Sequence, residues 1–344
     1  MLTIYSPLHE RRHPSTELHG GRIVAPYESA ERARIVLERV KSTGLGPVVA
    51  PEGFGLAPVY RVHDEAFVEF LANAWREWEA AGNEGEAIPN TWPARRMRQA
   101  PPASFAGRLG YYALAADSSI SEGTWEAARA AADVALTGAA RVLGGAPGAF
   151  SLCRPPGHHA ARDLYGGYCF LNNAAIAAQA LLDGGISRVA VLDVDFHHGN
   201  GTQDIFYDRD DVLFVSLHGD PAQCFPYFAG FPDETGAGAG AGFTLNFALP
   251  PGTGYAKWRE ALRAGLEAIR RSGAGALVVS LGVDTFEGDP ISSFKLKSAD
   301  FADYGQLIGS VGLPTLFVME GGYAVAEIGT NVVNVLSGFE RARP

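Results

Sequence analysis

The pattern of apolar positions changes texture past residue 148. Short runs of mostly apolar, largely β-branched residues stand at 149–152 (AFSL), 188–195 (RVAVLDVD), 212–218 (VLFVSLH), 276–282 (ALVVSLG) and 314–320 (PTLFVME). Unbroken runs of this length read as strands buried on both faces. Between or beside them, at 172–183, 255–271 and 301–312, apolar residues recur every three or four positions, the spacing of amphipathic helices. The alternation predicts an α/β fold, an open, mainly parallel multi-stranded sheet with helices on both faces. Ligands of such sheets sit beyond the carboxyl ends of the strands. No domain-scale linker interrupts the pattern, so residues 1–344 read as a single domain. Residues 80–124 are rich in Pro, Gly and mixed charge and carry little periodicity, as expected of a functional or disordered insert. The GAGAGAG run at 236–242 lacks a following GK[ST] and opens no helix after a strand, so it is not read as a phosphate loop.

Polar residues follow the strand ends in a way that turns alone do not require. CRPPGHH follows the first run, DVDFHHG the second, HGDP the third, VDTFEGDP the fourth and GGY the fifth. Asp195 and His197 are two apart, so at a strand end their side chains point the same way. Asp284 follows another strand and supplies a second carboxylate. Two Asp and one His leave a coordination position open, as in catalytic metal sites. Alone, a DxH pair more often caps a turn. A lone HH pair is more often surface, but the PPG before His158 and His159 fixes a turn that brings them to the same edge. Asp193 and Asn200 are available to orient the two imidazoles. Tyr323, after two glycines, would face the same place, although a tyrosine there could equally pack in a turn. Two carboxylates nearly cancel a divalent charge, so the ion acidifies its water less than a three-histidine site would. A neighbouring base is then needed, which the His pair supplies. A phenol donating to an oxyanion completes the set. The residues alone read as metal-assisted amide or ester hydrolysis.

Composition narrows the class without deciding it. The 344-residue chain has 47% hydrophobic and 19% charged residues and a formal net charge of −10. That balance disfavours a nucleic-acid backbone as partner and permits a cationic one, though solubility alone would explain it. The cysteines, Cys153, Cys169 and Cys224, are odd in number and form no CxxC pair, which fits a reducing, cytoplasmic setting. No apolar leader is seen, and no run approaches ~18 apolar residues, so neither export nor a membrane span is expected.

In order along the chain, RPPGHHA, GYCFLNNAA, LDVDFHHGNGTQDIF, SLHGDP, LGVDTF and MEGGY resemble the motif series of the histone deacetylase family. The resemblance covers about 15–335. Within the family it is nearest the bacterial acetylpolyamine amidohydrolases, through TELHGGRIVAPYE, the long insert and FHHGNGTQDIFY. It implies the arginase/deacetylase fold with long loops around a tunnel. It implies Asp195, His197 and Asp284 as ligands of zinc (or ferrous iron in the cell), His159 as general base, His158 as its electrostatic partner and Tyr323 as the carbonyl-polarising phenol. It places Asp193 behind His158, and Asn200 behind His159, where many relatives carry an aspartate. The amide should leave His159 less basic. Gly167, Tyr168 and Phe225 match the tunnel wall. A structural potassium ion is implied near Asp193, Asp195, His197, Ser216 and Leu217. The insert, through about residues 84–115, is implied to build a homodimer and narrow the tunnel mouth, favouring slim cationic acetylated amines. Asp117 is the acid expected to meet their distal ammonium, with Glu17 and Glu122 as further candidates. Ala106 stands where another acid is expected, which favours short diamines of the acetylputrescine or acetylcadaverine type.

Three alternatives compete with the small-amine hydrolase. A protein acetyl-lysine deacetylase is disfavoured by the insert and the acidic charge. A non-catalytic sensor of acetylated amines would be expected to lack a ligand or the tyrosine, and all are present. A two-manganese site of the arginase kind would need extra ligands and could recruit Asp193 only at the expense of His158.

Overall fold

The computed structural model describes residues 1–342, so the last two positions of the expected single domain, Arg343 and Pro344, lie outside the described residues. Among the described residues ten strands are formed: β1 (Leu2–Ile4), β2 (Glu17–His19), β3 (Arg22–Val24), β4 (Val48–Val49), β5 (Gly148–Ser151), β6 (Val189–Asp193), β7 (Val212–Gly219), β8 (Thr244–Leu249), β9 (Ala276–Leu281) and β10 (Thr315–Met319). The helices are α1 (Ala30–Ser42), α2 (Glu65–Ala80), α3 (Phe105–Tyr111), α4 (Thr124–Leu143), α5 (Asn173–Asp183), α6 (Asn200–Phe206), α7 (Tyr255–Arg271), α8 (Ser298–Gly309) and α9 (Val325–Arg341). Eight strands make one sheet in the order β4-β1-β5-β10-β9-β6-β7-β8, and every pairing in it is parallel. β2 and β3 form a separate antiparallel hairpin.

Each of the five apolar runs becomes a central strand, and alternation within them builds two cores. Val189, Val191, Phe214, Val278 and Leu316 point to one face and join α2, α4 and α5. Ala190, Leu192, Val215, Val279 and Phe317 point to the other and join α1, α7, α8 and α9. Side chains alternate across a strand, so a strand covered on both faces must be apolar at every position.

The strand order positions the chemistry. From β6 the chain moves outward through β7 to β8, then returns to place β9 on the opposite flank of β6, with β10 beyond it. The crevice between the ends of β6 and β9 is therefore the topological switch point of the sheet, where open α/β sheets bind ligands. Asp195 leaves β6 and Asp284 leaves β9, one on each side of it.

The stretch at 80–124 is more ordered than its composition suggests. Reciprocal backbone hydrogen bonds between Ala87 and Ile120, of 2.9 and 3.0 Å, close its base. Leu109, Tyr112 and Ala113 are buried, and the Tyr112 ring lies 4.8 Å from that of Phe70 on α2. Trp92 Nε1 donates to the Ala113 carbonyl at 3.0 Å, and Arg108 pairs with Glu77. Among the described residues, no helix is long and apolar enough to cross a membrane.

Candidate active site

The floor of the site is built by backbone amides that hold carboxylates. Asp195 Oδ1 accepts from the His197 amide at 2.9 Å, and Asp195 Oδ2 from the Gly321 amide at 2.8 Å. Asp284 Oδ1 accepts from the Phe196 amide at 2.7 Å. One oxygen of each carboxylate also meets the same imidazole: His197 Nδ1 lies 3.2 Å from Asp195 Oδ1 and 2.9 Å from Asp284 Oδ2. The ligand atoms of Asp195, His197 and Asp284 all lie within 4.8 Å of one another, and all three residues are buried. The neighbouring glycine is a necessity, because a Cβ on Gly321 would stand 2.8 Å from Asp284 Oδ2 and crowd Asp195 as well.

Burial disfavours the charged form of His197, but Asp195 and Asp284 overcome it and push its pKa up to about 10. Burial and the Asp195 charge push Asp284 upward. Two carboxylates buried against one imidazole thus demand positive charge between them, and a divalent cation meets that demand with O, N and O donors. The residues fit a hard or borderline metal ion.

The tandem histidines hang from the turn after β5. His158 Nδ1 lies 2.9 Å from Asp193 Oδ2, and His159 Nδ1 lies 2.7 Å from Asn200 Oδ1. These different partners, and the two rings' mutual influence, drive their pKa values apart. Burial works against the charge on His158, yet Asp193 and Asp195 raise its pKa to about 10. Burial holds His159 well below the usual histidine value, helped by positive charge at His158 and His197, while the Asn200 hydrogen bond pulls weakly the other way. The fold thus drives His158 toward its charged form and His159 toward its neutral one, the division of labour that acid–base sites use.

Tyr323 closes the opposite wall. Its amide donates to Asp289 Oδ2 at 2.7 Å, and its ring packs edge-on to Tyr168 with centroids 5.6 Å apart. Burial raises its pKa well above the ordinary phenol value, so the hydroxyl stays a donor. Phe225 stands edge-on to His159 at 5.0 Å. Gly167, at φ +54°, brings its backbone against the His159 ring, where any Cβ would collide. These residues line a cavity of about 880 Å³ that opens between the β2–β3 hairpin and the segment after β7.

The expected distal acids are placed differently from one another. Asp117 lines the cavity and is half-buried; its Oδ1 accepts from Ser118 Oγ at 2.7 Å and from the Gly167 amide at 3.1 Å. It therefore supports the wall as well as carrying charge. Glu17 also lines the cavity but is buried, with Oε1 accepting from Tyr168 Oη at 2.6 Å and Oε2 from the Tyr27 amide at 3.0 Å. Glu122 is exposed and lines a separate depression with Glu10 and Glu86, away from this cavity. Ser216 lies opposite Asp193 in the β6–β7 pairing, so the residues of the expected potassium site are neighbours; Ser216 Oγ is 2.8 Å from His218 Nδ1.

Sequence reasoning missed the buried ion network beneath the site. Glu28 Oε1 accepts from Arg32 at 3.0 Å and from Arg154 at 2.7 Å. Arg32 also donates to the carbonyls of Glu320 and Gly322, both at 2.6 Å, and its guanidinium lies 4.7 Å from the Tyr323 ring centroid. Glu320 Oε2 accepts from the Gly157 and His158 amides at 2.6 and 3.1 Å. The signal for Arg32 was present: it falls on the same stripe of α1 as buried Val36 and Val40, where an arginine must find partners.

The description "Histone deacetylase domain" matches residues 26–339 of the chain. The chain belongs to the histone deacetylase family. Its fold is the deacetylase fold and its activity that of a deacetylase, a hydrolase of amide bonds. This deacetylase is 57% identical over 340 residues to acetylpolyamine amidohydrolase 2 of Pseudomonas aeruginosa, covering 99% of both chains. It is 55% identical over 338 residues to the acetylpolyamine amidohydrolase of Mycoplana ramosa, covering 98% of this chain and 99% of that one. The crystal structure of acetylpolyamine aminohydrolase from Burkholderia pseudomallei superposes with a TM-score of 0.95 at 42% identity, with both chains fully covered.

Proposed function

We propose that this deacetylase is a zinc-dependent amidohydrolase that removes acetyl groups from small N-acetylated polyamines or diamines, acetylputrescine or acetylcadaverine among them, and releases acetate. The observation that carries this reading is the lining of the cavity. It runs from Tyr168 and Phe225 to His159 and His197, includes the acids Glu17 and Asp117, and among the described residues contains neither lysine nor arginine. A slim apolar chain with one acetamide end and one ammonium end matches such a wall. The names of the relatives support the same substrate class.

Asp195, His197 and Asp284 would hold the ion. When bound, a divalent ion supplies Lewis acidity toward the scissile carbonyl and the attacking water. His159, neutral at physiological pH, accepts the proton of that water at Nε2 and later passes one to the leaving amine. His158, held as imidazolium by Asp193, stabilises negative charge that develops beside it. Tyr323 donates its phenolic proton in a hydrogen bond to the forming oxyanion. Gly167, Tyr168 and Phe225 hold the aliphatic chain and exclude water. Asp193, Asp195, His197, Ser216 and Leu217 would hold a structural potassium ion. The insert would pair two copies and narrow the entrance, and the protein would act in the cytoplasm on free amines, with neither nucleic acid nor membrane as partner.

The test is a comparison of kcat/KM for acetylputrescine, acetylcadaverine, acetylspermidine and an acetyl-lysine peptide, read as acetate release. The reading expects the diamines to exceed the peptide by at least tenfold. A peptide turned over as well as the diamines would favour a protein deacetylase instead.

A further inference from the structure

The two acids of the cavity leave the recognition of an ammonium incomplete. Both oxygens of Glu17 accept hydrogen bonds from the protein, and Asp117 Oδ1 accepts two. The outer wall offers something else. Beyond Phe225 the chain turns so that Tyr227 and Phe228 stand at the lip of the cavity, 51% and 84% exposed. Burying such rings is the ordinary outcome of folding, and two exposed neighbours on a cavity rim call for a reason.

The turn that presents them is strained and pinned. Tyr227 has φ +67°, a conformation that bulky residues seldom adopt. Its amide donates to the Cys224 carbonyl at 3.0 Å, and the Phe228 amide to the Pro226 carbonyl at 2.8 Å. Further along, Glu234 Oε2 accepts from the Gly230 amide at 2.8 Å and from Gln203 Nε2 at 2.6 Å, tying the segment to α6. The rings continue an aromatic track from the catalytic wall outward: Phe225 to Tyr227 is 6.3 Å between centroids, and Tyr227 to Phe228 is 6.4 Å. The described arginines that stack on rings do so at Phe170, Tyr323, Phe243 and Phe206, away from this track.

We propose that Tyr227 and Phe228 form an aromatic lip that receives the distal ammonium of the substrate by cation–π attraction. The inference rests on the small-amine reading above and deepens it, naming what discriminates a cationic amide from a neutral one. Asp117 and Glu17 set a negative field along the wall, and the lip supplies π-faces where the amine leaves the tunnel. A leucine at each position keeps apolar bulk and removes the quadrupole.

The experiment compares N-acetylputrescine with N-pentylacetamide, which replaces the ammonium by a methyl group, in the native protein and in Tyr227→Leu/Phe228→Leu. In the native protein the charged substrate should have the higher kcat/KM; if it does not, the small-cation reading itself fails. In the double variant the ratio of kcat/KM, charged over neutral, should fall by about two- to fivefold, as for a partly exposed cation–π contact. The change should lie in KM, and Tyr227→Trp alone should move the ratio the other way, since indole is the stronger π partner. A native preference that persists unaltered in the double variant would overturn the lip while leaving the substrate class intact. Equal losses on both substrates, or a sedimentation shift showing that the rings hold two copies together, would also overturn it.

Discussion

Replacing Asn200 by aspartate probes the division of labour between the two histidines. Asn200 Oδ1 sits 2.7 Å from His159 Nδ1, and the aspartate keeps that acceptor oxygen in place, so geometry changes little while a negative charge arrives beside a buried ring. Two unit charges about 4 Å apart interact by about 4 kcal/mol at an effective dielectric of 20, and burying the new carboxylate offsets part of this. Carboxylate partners accordingly raise a histidine's pKa by about 1–3 units. The sign follows from the role. In the native protein His159 is held well below the usual histidine value, so the base stays neutral and the acidic limb of kcat/KM lies below about pH 6.5. In Asn200→Asp the ring protonates more readily and that limb should move to higher pH by about 1–3 units. The assay is kcat/KM for acetylputrescine from about pH 5 to 9, with Asn200→Ala as the control that removes the orienting acceptor without adding charge. Superimposable acidic limbs in the native protein and Asn200→Asp would refute His159 as the group whose neutral form drives turnover.

Further outcomes are expected at three residues. Tyr323→Phe should keep fold and metal content yet lose about 10²–10³-fold in kcat, checked by steady-state kinetics beside metal analysis; near-native turnover would mean another group polarises the carbonyl. Asp117→Asn keeps the oxygen that accepts from the Gly167 amide and removes the charge, so KM for acetylputrescine should rise several-fold, with an effect that shrinks as salt is added. Asp117→Ala should also lower kcat and thermal stability, because the Gly167 and Ser118 donors lose their partner. Glu28→Gln leaves Arg32 and Arg154 buried without their shared carboxylate, and denaturant unfolding should show a loss of about 3–5 kcal/mol; a change below about 1 kcal/mol would mean the arginines are satisfied by carbonyls alone.

The central strands were legible because burial on both faces leaves no room for polar residues, and 149–152, 188–195, 212–218, 276–282 and 314–320 all mark strands of the sheet. Helix 255–271 was legible residue for residue through its strong amphipathic stripe. The strands missed were those with weak patterns: β1 and β4 are three and two residues long at one side of the sheet, β2 and β3 are three-residue strands of a separate hairpin, and β8 is an edge strand whose partly exposed positions include Asn246. The insert looked unpatterned because its order comes from a few anchors, Ala87, Leu109, Tyr112, Ala113 and Ile120, rather than from a periodic face. The candidate site residues could be picked out at strand ends because a parallel sheet delivers those ends to one crevice. The charge state of each could not, since it depends on which carboxylate or amide the fold sets beside it. Asp117 shows the limit most clearly: its sequence position suggested a free charge at the mouth, whereas the fold also makes it an acceptor for the wall behind His159.

The account stands on a metal ion held by Asp195, His197 and Asp284. The most direct measurement is to strip the protein with a chelator, add back zinc in steps, and follow bound metal and acetate release from acetylputrescine together. Activity should be absent in the stripped protein and return along a line that breaks at about one equivalent, the stoichiometry of a single open site, while Asp195→Ala and His197→Ala bind no zinc at this site and stay inactive. Full turnover by metal-free protein, or a full equivalent of tightly held zinc in either variant, would contradict it.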